Sequence, residues 1–78
     1  MVFEKVKNVI IEIMGIPENE ILLESHLFDE LDADSLDMSQ IILELENGYK
    51  IEIDDDAFSN FETVKDIVDY IKNKNQFS

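Results

Sequence analysis

Apolar side chains recur at threes and fours from the start of the chain. Val2, Phe3, Val6, Val9, Ile10, Ile13 and Met14 share one side, while Glu4, Lys5, Lys7, Asn8 and Glu12 fill the other. That period predicts an amphipathic helix. Gly15 follows the last periodic residue and suits a left-handed cap, and Pro17 prevents continuation. Residues 16–33 lose the period, yet Ile16, Ile21, Leu22, Leu27, Phe28 and Leu31 are too apolar for a free linker. A long packed loop is expected there, and its unusual length favours an anchored or functional segment.

The helical period returns with Leu36, Met38, Ile41, Ile42, Leu45 and Tyr49, with Asp34 or Ser35 as N-cap and Asp37 in the first turn. A second helix is predicted from about Ser35 to Asn47, ended by Gly48. Ile51-Glu52-Ile53 alternates like a strand but has no credible partner, so an extended connection is expected. Asp54 to Asn60 predicts a short helix carrying Ala57 and Phe58 inward. A last helix opens at Glu62 or Thr63, with Val64, Ile67, Val68 and Ile71 on one face, Lys72 and Lys74 near its end, and a frayed tail from Asn75 to Ser78. These elements predict an all-α fold, a small four-helix bundle with three longer helices, one short helix and a long first loop.

Seventy-eight residues suit one domain spanning 1–78. A chain this short buries only about 60 to 65% of its unfolded surface, which leaves little room for a deep catalytic cleft. The 19 acids and 6 lysines give a net charge of −13. Nucleic acid and anionic lipid surfaces are disfavoured, and partners with basic patches are favoured. Eleven of the acids lie between Asp29 and Asp56 beside a single lysine, Lys50, so the charge gathers around the second helix. A solvated acidic face is the plainer reading of that charge taken alone. With no cysteine, disulfides, thiolate metal sites and cysteine nucleophiles are excluded. The N-terminus resembles neither a signal nor a transit peptide, and no apolar stretch is long enough to span a bilayer. A cytoplasmic monomer is the default expectation, alongside a mature chain already trimmed inside an organelle.

Candidate chemistry converges on Leu31-Asp32-Ala33-Asp34-Ser35-Leu36-Asp37, where one serine hydroxyl stands at the junction of the long loop and the second helix. From three residues alone, Asp34 and Ser35 read as capping residues. A calcium loop starting at Asp32 fails because Leu36, Asp37 and Leu43 occupy positions that need an oxygen ligand, Gly and Glu. His26 is the only histidine, and there is neither a G-x-S-x-G elbow nor a phosphate-cradling glycine loop. A serine hydrolase therefore has little support, and His26 reads as a loop surface residue.

Over nearly the whole chain, without a gap, the sequence resembles the acyl carrier proteins. The resemblance rests on Val6-Lys7-Asn8-Val9-Ile10 followed by Gly15, on Asp34-Ser35-Leu36-Asp37, on Leu45-Glu46 to Tyr49, on Ile51-Glu52-Ile53, and on Thr63-Val64 leading to Asp69-Tyr70-Ile71. It implies a carrier rather than an enzyme. In that family the serine, here Ser35, bears covalent 4'-phosphopantetheine taken from coenzyme A by a phosphopantetheinyl transferase, with Asp34 and Leu36 beside it. The arm then holds acyl groups as thioesters in fatty-acid, polyketide or related synthesis.

The resemblance also implies a docking stripe of Leu36, Asp37, Gln40, Leu43, Glu44 and Glu46, read by acyl-transferring, synthase and other acyl-processing enzymes. It implies an acyl-chain pocket among Phe28, Ile42, Leu45, Tyr49, Ile53, Phe58, Val68 and Ile71. From the residues alone, the same apolar set is a plain core. Three departures from the family pattern point to a specialised carrier: Asp32 stands where Gly is common, Ser39-Gln40-Ile41 where Val-Glu-Leu is usual, and Asp54 where Pro is frequent. The rival expectation is an acidic divalent-cation-responsive or adaptor module without a prosthetic group.

Overall fold

The computed structural model describes residues 1–75, and the end of the expected frayed tail lies outside them. Among these residues there are four α-helices and no strand: α1 Val2–Met14, α2 Ser35–Tyr49, α3 Asp55–Asn60 and α4 Val64–Asn75. A single 3-10 turn, Glu18–Glu20, interrupts the long first loop.

α1 has the bounds its apolar period predicts. Gly15 closes it in the left-handed region at φ 68°, and its amide donates to the Ile11 carbonyl. Val6, Val9 and Ile10 are buried on its inner face, and α1 packs against both α2 and α4. The core joins these three residues to Met38, Ile41, Ile42 and Leu45 of α2 and to Val64, Ile67, Val68 and Ile71 of α4. Burying each such aliphatic side chain stabilises the fold by about 1.5–3 kcal/mol before conformational entropy is counted.

The end of α2 differs from the expectation. Gly48 lies inside the helix, which runs on to Tyr49, and Lys50 takes the left-handed cap at φ 57°. The bonds that fix the end lie beyond the glycine: the Lys50 and Ile51 amides both donate to the Glu46 carbonyl, Ile51 at 3.2 Å. Gly48 does not use glycine's left-handed freedom, and a Cβ there would meet only the flexible end of Lys5, 3.2 Å from its Cε. Beyond Lys50, Ile51 to Ile53 form the expected extended connection, and short α3 leads to buried Phe61.

The long loop is anchored by its backbone. Leu27 N donates to Glu62 O at 2.8 Å, Lys65 N to Leu23 O at 2.8 Å and Val64 N to Ser25 O at 3.2 Å, while His26 and Thr63 form an isolated antiparallel bridge. Buried Ser25 reinforces the bend, because its hydroxyl accepts from Leu22 N at 2.9 Å and donates to Glu20 O at 3.1 Å. Leu27 and Leu31 are buried beneath it, so the loop is sewn to the start of α4 and cannot swing free.

Candidate functional site

The anchored loop delivers the chain to α2 through a tight bend. Ala33 N donates to Leu27 O at 2.9 Å, Ala33 is buried, and Asp32 before it adopts φ 61°. Asp tolerates this left-handed geometry better than most residues with a side chain. The position that the family pattern gives to Gly does require a positive φ here.

Asp34 is the N-cap, and Ser35 is the first helical residue. The Asp34 carboxylate accepts from Asp37 N at 2.8 Å, and the Asp37 carboxylate accepts from Asp34 N at 3.3 Å. This reciprocal pair is a capping box in which Asp takes both roles. The cap is complete without Ser35, whose exposed hydroxyl is left over. An anion attached at that oxygen would meet the amide-rich, positive end of the α2 dipole.

Along α2 the residues separate by face. Leu36 and Leu43 stand in solvent at 67% and 57% exposure, in line with exposed Gln40. Met38, Ile41, Ile42 and Leu45 point into the core. Asp37 and Glu44 flank the exposed stripe. Glu46 is placed differently: its carboxylate accepts from Ile53 N at 2.8 Å, so one oxygen is committed to holding the α2–α3 connection. Sequence spacing alone gave no sign of that bond. α1 also reaches this side of the molecule, where Glu12 and Ile13 meet Gln40, Leu43 and Glu44 around a cleft of about 300 Å³. A reading confined to α2 misses both α1 residues.

Of the residues expected to surround an acyl chain, Ile42, Leu45, Ile53, Val68 and Ile71 are buried together, and Tyr49 and Phe58 are half-buried against them. Burial pushes the Tyr49 phenol above its ordinary pKa. Phe28 lies apart from this group. It is 41% exposed and meets the His26 ring edge-on, because the loop turns Leu27 inward and its neighbour outward. His26 is half-buried, and its Nδ1 accepts from Asp29 N at 3.2 Å.

Among the described residues, no three His, Asp or Glu side chains are arranged to hold a metal ion. Among the same residues, no helix is long and apolar enough to cross a membrane.

Residues 4–71 match a family model described as a phosphopantetheine attachment site. An acyl carrier protein of Clostridium acetobutylicum is 46% identical over 72 residues, which cover 92% of this chain and 94% of that protein. The chain belongs to the acyl carrier protein family. A solved structure from Mycobacterium tuberculosis, assigned as an acyl carrier protein, superposes with a TM-score of 0.89 at 28% identity, covering 95% of this chain and 99% of the other. Acyl carrier proteins are carriers and not enzymes, and their prosthetic group is covalent phosphopantetheine. The exposed hydroxyl at the mouth of α2 suits such a group, since nothing in the capping box needs to be displaced to reach it.

Proposed function

We propose that Ser35 is the attachment residue and that the protein shuttles thioester-linked acyl intermediates between enzymes of fatty-acid, polyketide or related synthesis. One observation carries the assignment: Ser35 is an exposed hydroxyl at the first position of α2, left free by the Asp34–Asp37 capping box, within the segment matched to the phosphopantetheine attachment family. A phosphopantetheinyl transferase joins the Ser35 oxygen to the phosphorus of coenzyme A's 4'-phosphopantetheine. The nucleotide diphosphate bond breaks, adenosine 3',5'-bisphosphate leaves, and the serine proton is lost. The arm's thiol then supplies the thioester chemistry.

This chain's own part is placement. The helix N-terminus stabilises the phosphodiester, and Asp34 helps to orient the transferase complex and its cation. Leu36, Asp37, Gln40, Leu43 and Glu44 form the face that partners with basic patches read, and the net charge of −13 steers those partners toward it. The apolar wall of Ile42, Leu45, Ile53, Val68 and Ile71, bordered by Tyr49 and Phe58, receives the acyl chain when the helices part.

Intact mass after incubation with coenzyme A, Mg²⁺ and a broad-specificity transferase tests the assignment. The wild type gains one phosphopantetheinyl group, and Ser35→Ala gains none while keeping its helicity. A folded wild type that stays unmodified, or a modified Ser35→Ala, sinks it.

A further inference from the structure

We propose that the cleft between α1 and α2 is a second wall of the docking surface, and that it seats a partner-protein segment presenting an apolar side chain flanked by Lys or Arg. The inference deepens the carrier reading and rests on it for the class of partner, an acyl-processing enzyme. It adds a helix that the exposed stripe of α2 does not include.

Gln40, Leu43 and Glu44 are spaced i, i+3 and i+4, so they share one face of α2. α1 sets exposed Glu12 and half-buried Ile13 opposite them. The apolar part of the cleft comes from Ile13 and Leu43, and its charge comes from Glu12 and Glu44. At about 300 Å³ it is at the small end for a ligand pocket and suits one or two protein side chains.

Charge decides the occupant. No lysine lines the cleft. Among the described residues, neither Glu12 nor Glu44 forms an ion pair, whereas Glu4 and Glu18 are engaged by Lys7, and Asp69 by Lys65. The cleft acids are therefore available to an outside cation, and a chain of net charge −13 repels an anionic lipid headgroup or a nucleic acid. Leu43 lies eight residues beyond Ser35, roughly 12 Å along the helix axis at 1.5 Å per residue. A partner gripped there is held close to the root of the tether.

The test titrates the ¹⁵N-labelled chain of residues 1–78, at low salt, with a helical peptide carrying one Leu between two Arg on the same face. Saturable shifts at Ile13, Gln40 and Leu43 are expected. Glu12→Lys should weaken binding by about fivefold, as expected for reversal of a rim charge. Glu52→Lys, an equal change of net charge on the α2–α3 connection, should weaken it by less than about twofold. Both positions are exposed, and circular dichroism checks that the variants fold. Should Glu12→Lys not fold, Glu12→Gln must still weaken binding more than Glu52→Gln does. Equal losses at the two positions, an unmoved Ile13, or equal binding of a peptide with Glu in place of Arg overturns the proposal. Wild-type mass gain with the transferase is read separately, so a failed tether and a failed cleft are distinguished.

Discussion

The Glu46 carboxylate accepts the Ile53 amide proton across 2.8 Å, fastening the α2–α3 connection to the last turn of α2. Ile53 is buried, so its amide has little access to replacement water. Glu46→Ala is expected to cost about 1–2 kcal/mol in urea unfolding, the range for a partly exposed hydrogen bond to a charged group. Glu46→Gln, which keeps an acceptor, should lose less than half of that. Equal losses would mean that the charge matters and the bond does not.

Asp34 caps α2 and Ser35 does not, which separates the stability of the helix from the attachment proposed for Ser35. Asp34→Ala should lower stability by about 1 kcal/mol, Asp34→Asn by a few tenths, and Ser35→Ala by less than about 0.5 kcal/mol. Thermal or urea unfolding of the three variants checks the order. A Ser35→Ala loss as large as that of Asp34→Ala would place the serine within the cap.

Gly48 offers an opposite change. Alanine in a helix interior is favoured over glycine by about 1 kcal/mol, and the nearest obstacle to its Cβ is the flexible end of Lys5, at 3.2 Å. Gly48→Ala should therefore stabilise the protein by about 0.5 kcal/mol in urea unfolding. A clear loss of stability would show that Lys5 cannot give way.

Asp66 holds the start of α4. Its carboxylate accepts from Glu62 N at 2.9 Å and Thr63 N at 3.1 Å, and those bonds, led by the one from Glu62, keep its pKa below the ordinary carboxylate value. A depressed folded value means the contribution is full above the unfolded pKa of about 3.9 and disappears as pH falls through the lower, folded one. The stability gap between wild type and Asp66→Asn should be constant from pH 7 to 5 and shrink as the pH drops below 4. A gap that does not change down to pH 2.5 would contradict the capping role.

The parts of the fold carried by local chemistry were legible in the sequence. α1 follows from its apolar period and Gly15, and α2 begins at Asp34-Ser35 because the capping residues and their partner lie within three positions of one another. Gly48 is a plausible stop in the sequence, but the end of α2 is set at Lys50 by amides that return to the Glu46 carbonyl, a bond pattern that no single residue type announces. Phe28 is apolar enough to belong to the core, yet the turn that buries Leu27 carries it outward. The bond from Ile53 to Glu46 and the α1 side of the cleft depend on where separate elements meet. No period along the chain records such meetings.

The first loop is fastened to the beginning of α4 through main-chain groups, at Leu23, Ser25 and Leu27 on one side and Glu62, Val64 and Lys65 on the other. Main-chain stitches are indifferent to side-chain identity, so replacing outward-facing Leu22 or Phe28 leaves the position of Ser35 where it is. The frame that sets where α2 begins is thereby uncoupled from the chemistry of the loop's outer surface.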